Sequence, residues 1–240
     1  MKQDARLTIV GGHYGVGKSE CAIAIALYLQ GRGAAVTLVD LDVVNPYFRS
    51  REARAILEDH GVTVIGNSLG IDTGVDLPAI PGTVVPALRD QTRRVVVDLG
   101  GDPVGARALR QFRPHIPPED TEFLYVVNAF RPENRDAPAA IASLRAIEGA
   151  VGLAVTGLVN NSHLLHETTC HHIGRGQELC LSIERQSGLP VVYTTARTEI
   201  LEACSNEAMD LAGIPVGLVG ALRQDWMNSG NGHSPFHPRR

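Results

Sequence analysis

Residues 12–19 read Gly-His-Tyr-Gly-Val-Gly-Lys-Ser, which satisfies the pattern G-x4-G-K-[ST] in full. The run sits between an apolar stretch of strand character, Leu7 to Val10, and a helical stretch from Lys18 to Gln30 that Gly31–Arg32–Gly33 stops. No other feature constrains the fold as strongly, because a strand must pass through a glycine-rich turn straight into a helix. In that turn the glycines let successive backbone N–H groups face inward at the positive end of the helix and form an anion cradle. Lys18 adds a point charge for the β- and γ-phosphates, and the Ser19 hydroxyl is a magnesium ligand. Of the 22 Lys and Arg residues only Lys2 and Lys18 are lysines, so chance would assemble the pattern in roughly two such chains per thousand. The expected nucleotide-binding set is therefore Gly12, His13, Tyr14, Gly15, Val16, Gly17, Lys18, Ser19 and the adjoining Glu20.

Beyond this loop, β-rich apolar runs alternate with helical ones, the signature of a parallel sheet with crossover helices. Strands are expected over Ala35–Leu41, Val62–Ile65, Val95–Gly101, Phe123–Phe130, Leu153–Asn161 and Pro190–Thr195. Helices are expected over Ser50–Asp59, Arg135–Glu148, Thr168–Ser187 and Ile200–Arg223. The Gly-, Pro- and Asp-rich segment from Asn67 to Pro86 reads as a long functional loop. The fold class is α/β, a mainly parallel sheet of about seven strands with helices on both faces. Residues 1–227 form one domain in this reading, and the polar, aperiodic tail 228–240 is disordered.

Acidic residues at strand ends complete the site. Asp98 closes the apolar run VVVD and precedes Leu99–Gly100–Gly101, the place where a carboxylate holds magnesium beside such a loop. Gly101 then offers its N–H to the γ-phosphate. The second strand ends in Asp40–Leu41–Asp42, two carboxylates that point to opposite faces and so differ in role. Asp42 is the candidate for orienting the attacking water, and Asp40 for supporting the magnesium shell. The bland alternative is that both simply cap the turn.

These residues, GGHYGVGKSE, VDLDVVNPYFRSRE, VVVDLGG and LVNNSHLLHETT, resemble the MinD/ParA/CobQ-CobB-like P-loop ATPases of the SIMIBI class, over about Ile9 to Thr195. The resemblance implies a sheet in which the P-loop strand and the Asp98 strand are neighbours, with ATP-driven cycles of partner binding. It implies a catalytic pair of Lys18 and Asp42, a switch role for Asp98, and an adenine contact from Asn160 or Asn161. His13 stands where many relatives carry a second, signature lysine. A mostly neutral imidazole does not replace a permanent cation reaching a partner's phosphates, which argues against the ATP-sandwich homodimer that the resemblance would otherwise imply. No [NT]-K-x-D guanine signature occurs, which favours ATP over GTP as the cofactor, with Mg2+.

Between His163 and His172 the chain reads HLLHETTCHH. His163, His166 and Cys170 make a possible nickel or zinc set; against it stands a solvated loop in which Thr168 or Thr169 caps the next helix. Four cysteines without CxxC spacing read as reduced thiols of a cytoplasmic protein. A net charge of −4 speaks against nucleic acid as the main ligand, and no apolar run is long enough to span a bilayer. The leading expectation is an ATPase that docks on a protein partner. The rivals are a small-molecule kinase or amide ligase of the cobyrinate or dethiobiotin synthase kind, and a metallochaperone.

Overall fold

The strand that feeds the phosphate loop has no polar face. All five residues of β1 (Leu7–Gly11) are buried, which places it inside a parallel sheet covered by helices on both sides. The computed structural model describes residues 5–42, 50–66, 82–101 and 103–219. In it β1 lies between β4 (Arg94–Asp98) and β5 (Thr121–Val127), as the resemblance implies for the Asp98 strand. Past β4 follow β2 (Val36–Asp40) and β3 (Thr63–Ile65); past β5 follow β6 (Gly157–Asn160), β7 (Val191–Arg197) and β8 (Ile214–Leu218). The order is β3-β2-β4-β1-β5-β6-β7-β8, parallel at each pairing.

Period-two alternation sorts the strand side chains between two cores. Leu7, Ile9, Val95, Val97, Phe123, Tyr125 and Val127 face one side. They pack there with Leu88 of α3 (Val84–Arg89), Leu109 of α4 (Pro103–Arg110), Leu144 of α5 (Ala137–Val151) and Ile183 of α6 (Cys170–Ser187). Val10, Val96, Leu124 and Val126 face the other side, against Ala22 and Ile25 of α1 (Lys18–Gly31) and Leu57 of α2 (Ser50–Asp59). The helix that carries Lys18 and Ser19 is thus wedged against the centre of the sheet, with its buried run reaching from Lys18 to Ala26.

The sheet has eight strands rather than about seven, because the expected helix Ile200–Arg223 breaks early. The helix α7 (Thr198–Asn206) ends, Ala208 and Gly213 take φ values of 55° and 73°, and β8 follows. A Cβ on Gly213 would lie 2.6 Å from the Val192 carbonyl oxygen, so the chain passes where only glycine fits. Pro215 is tolerated in β8 because, among the described residues, this strand ends the sheet and pairs on one side only, where a proline is admitted. The short helices α3 and α4 were not anticipated either. Residues 43–49 of the D-x-D segment, 67–81 of the expected Asn67–Pro86 loop and the expected tail 228–240 lie outside the described residues. None of the described helices is long and apolar enough to cross a membrane.

The cysteine expectation is also corrected. Cys170 and Cys204 are disulfide-bonded, with Cα atoms 5.2 Å apart. Packing of α6 on α7 brings together two residues 34 positions apart, which spacing alone does not reveal. Cys21 and Cys180 are buried free thiols; burial pushes Cys21 up to about 12, so it stays protonated and inert. Closing a loop of this length is worth about 4 kcal/mol through the unfolded chain. Oxidised protein is therefore expected to unfold at a higher guanidinium concentration than protein held in reductant; coincident midpoints would show that the bond contributes nothing.

Candidate nucleotide-binding site

Residues 12–17 leave β1 as a turn that backbone geometry reserves for glycine. Gly12, Gly15 and Gly17 have φ values of 152°, 76° and 87°. Gly17, left-handed, is the residue from which α1 starts. A Cβ on Gly12 would lie 2.9 Å from the Val126 carbonyl oxygen, and one on Gly17 would run into the Asn161 carboxamide. The loop is therefore a shape that a side chain would fill, as a phosphate cradle requires. Val16 is wholly buried, whereas Tyr14 stands 60% exposed at the rim.

Lys18 is 3% exposed, and its Nζ donates to the His13 carbonyl oxygen at 3.1 Å. The ammonium is thereby folded back over the loop it serves. Gly101, from the turn after β4, closes the same space: a Cβ there would meet Lys18 Nζ and come within 2.9 Å of the Tyr14 backbone. Ser19, one residue on, is 6% exposed. Glu20 follows in the first turn of α1.

The carboxylates arrive on adjacent strands. Asp40 and Asp98 are direct register partners across β2 and β4, and Val10 pairs with Asp98 across β1 and β4. Asp98 and Asp42 are buried, at 5% and 8% exposure. Asp40 Oδ1 accepts the backbone N–H of Asp42 at 2.9 Å, so one of its oxygens caps the turn, as the bland reading proposed. The Ser19 hydroxyl and the Asp98 and Asp40 carboxylates are all oxygen donors, the chemistry that would fit magnesium once phosphate oxygens and waters completed a shell.

The loop is held from outside by residues that sequence reasoning missed or assigned differently. Arg131, in the turn after β5, donates from Nε to the Gly15 carbonyl oxygen at 3.0 Å. Glu133 sits 3.6 Å from His13 Nδ1. Asn161 donates to the Val16 carbonyl oxygen at 2.8 Å and accepts from the Thr195 hydroxyl at 2.9 Å. Asn160 donates to the Ile173 carbonyl oxygen at 3.1 Å and accepts the Ser162 N–H at 3.2 Å. Both asparagines are essentially unexposed. Through these bonds Asn161 braces the phosphate loop and Asn160 ties β6 to α6. Nothing in the sequence marks Arg131 among so many arginines.

The histidine cluster is dispersed. His163 Nε2 would lie 3.4 Å from a Cβ on Gly17, so this ring belongs to the phosphate loop. His172 accepts the Thr169 N–H at 3.0 Å at the start of α6 and packs its edge on Phe130, with ring centroids 5.2 Å apart. His166 is exposed beside Glu167. Cys170 is buried and bonded to Cys204. Among the described residues no three His, Cys, Asp or Glu side chains are grouped to hold a metal ion, so the His163, His166 and Cys170 set is not assembled.

Solved structures share the architecture that carries this loop. FtsY, the cell division protein of Thermotoga maritima, matches with a TM-score of 0.53 and 22% identity, over 79% of this chain and 61% of its own. The signal recognition particle receptor FtsY of Elizabethkingia anophelis, in complex with GDP, gives 0.52 and 21%, over 81% and 58%. The chain has the fold of these two proteins, a parallel α/β sheet with helices on both faces and a phosphate loop after β1. Signal recognition particle 54 kDa protein from Aeropyrum pernix K1, also with GDP, shares this fold at a TM-score of 0.51 and 17% identity, over 80% and 41%. The chain spans less than two thirds of the length of each of these proteins. No family model and no curated protein matches it.

Proposed function

We propose that this chain is a magnesium-dependent ATP-binding protein and slow ATPase, a single nucleotide-binding domain that couples its nucleotide state to docking on a partner protein. The observation that carries this reading is the cradle itself: left-handed glycines that admit no side chain, with the Lys18 ammonium and Gly101 closing over them. In this reading the loop amides and Lys18 bind the triphosphate, Ser19, Asp98 and Asp40 hold the metal, and Asp42 orients water. Magnesium would neutralise charge developing between the β- and γ-phosphoryl oxygens. Gly101 lies against both Lys18 and Tyr14, so a γ-phosphate entering the cradle presses on the turn after β4. That contact is how nucleotide state reaches a docking surface.

Two of the fold neighbours hold GDP, which makes the base the point to decide. Guanine presents N1–H and N2–H donors on one edge, and reading them takes a carboxylate acceptor. Counted from Asn160 or Asn161, the guanine signature would place that carboxylate at position 163 or 164, where this chain has His163 and Leu164. Leu164 is 37% exposed and offers no acceptor. Losing a paired acceptor of this kind costs about 1–3 kcal/mol of discrimination. Calorimetry with magnesium ATP and magnesium GTP is expected to show ATP binding at least as tightly as GTP, with slow phosphate release from ATP. A GTP preference of ten-fold or more would assign the protein to GTP, and turnover appearing only with an added metabolite would favour the ligase or kinase reading.

A further inference from the structure

The group that the family resemblance assigns to the nucleobase is taken up elsewhere in this protein. Asn161 holds the Val16 carbonyl and Asn160 the Ile173 carbonyl, and both are buried. Something else must meet the base. The two ends of the cradle can be told apart. Gly101, Asp98 and Asp42 follow β4 and β2, so the γ-phosphate end lies on that side of β1. The nucleoside end then leaves over the turns after β5 and β6, on the opposite side of β1.

Arg131 stands in the turn after β5. Its Nε–H is fixed by the Gly15 carbonyl oxygen at 3.0 Å. Among the described residues its side chain makes no other hydrogen bond or ion pair, and the residue is half-buried. A guanidinium held by Nε alone keeps a flat, charged face and four N–H groups for a ligand. Such a plane stacks on aromatic rings, and nucleobases all present a π-face. The turn that carries it is itself anchored: Phe130 N–H donates to Asn128 Oδ1 at 3.0 Å, and Ala129 N–H to Ser162 Oγ at 3.0 Å. The plane is therefore pre-organised on two strands at once.

We propose that Arg131 is the stacking platform for the nucleobase, so that this protein grips a purine by its face. The inference rests on the reading of residues 12–19 as a triphosphate site. It makes two ligands diagnostic: magnesium ATP, which has a base, and magnesium tripolyphosphate, which has the same phosphate chain without one. Isothermal calorimetry is run with both on wild type, Arg131→Ala and Arg131→Lys. The alanine variant also loses the Gly15 brace, which weakens both ligands alike, and is expected to lose about ten-fold more in ATP affinity than in tripolyphosphate affinity. The lysine variant keeps a donor for the Gly15 carbonyl but has no plane, and is expected to lose nearly as much for ATP. Equal losses for both ligands would reduce Arg131 to a loop brace and overturn the proposal. Full ATP affinity in either variant would overturn it as well. Failure of the underlying reading looks different, because wild type itself would then bind neither ligand, and this inference would fall with it.

Discussion

Lys18→Ala is expected to weaken magnesium ATP binding by at least a hundred-fold and to leave the fold intact. The ammonium is 3% exposed and is held over the loop by the His13 carbonyl at 3.1 Å. A phosphate chain in the cradle therefore meets a charge already desolvated and already aimed. Truncating one partner of such a pair costs about 3 kcal/mol, more than a hundred-fold in affinity. Stability should move little, or rise. Lys18 opens α1, alanine is the strongest helix former, and a buried cation carries a desolvation cost that the variant escapes. Calorimetry reads the affinity and a thermal melt reads the fold. An alanine variant that melts like wild type and binds ATP within a few-fold would remove Lys18 from the site, and with it the present reading of the loop.

Legibility tracked how local the determining physics is. The phosphate loop was readable because its strand, its glycines and its helix start are contiguous, and each glycine is fixed by a nearby backbone constraint such as the left-handed φ of Gly17. The neighbouring of β1 and β4 followed from the family resemblance, and the two-sided cores from continuous apolar runs such as VVV in β4. β8 was misread because the apolar content of AMDLAGIPVGLVGAL suits a buried helix as well as a strand; the decision fell to Gly213 and Pro215, whose meaning depends on the Val192 carbonyl and on the sheet edge. The bracing of the loop was hidden for a different reason. Arg131 reaches Gly15 across 116 positions and Asn161 reaches Val16 across 145, and no periodicity encodes such a contact. The histidines misled through proximity in sequence: His163 turns to Gly17 while Cys170, the first residue of α6, turns inward to Cys204, because the turn Leu165–Glu167 lies between them.

The second large effect is expected at Asp42. Asp42→Ala should bind magnesium ATP within about two-fold of wild type and release phosphate at least a hundred times more slowly, the lower end of what a positioned base contributes. The geometry divides labour among three carboxylates. Asp98 sits at the tip of β4, paired with Val10 of the strand that enters the phosphate loop, and in the proposed site it is the carboxylate assigned to the metal. Asp40 is beside it in register but has one oxygen engaged with the Asp42 N–H. That bond makes Asp40 the residue that sets the turn, and Asp42 the carboxylate whose direction the turn decides. Asp40→Asn keeps an oxygen acceptor for the same N–H, so it should preserve the turn and reduce turnover less than Asp42→Ala does. The pair of variants separates the roles. If Asp42→Ala loses ATP binding together with turnover, Asp42 is a metal or phosphate ligand and the water is oriented by another group. If Asp40→Asn proves the more damaging of the two, the charge that Asp40 lends to the magnesium shell outweighs the water positioning assigned to Asp42, and the ranking of the two carboxylates is overturned.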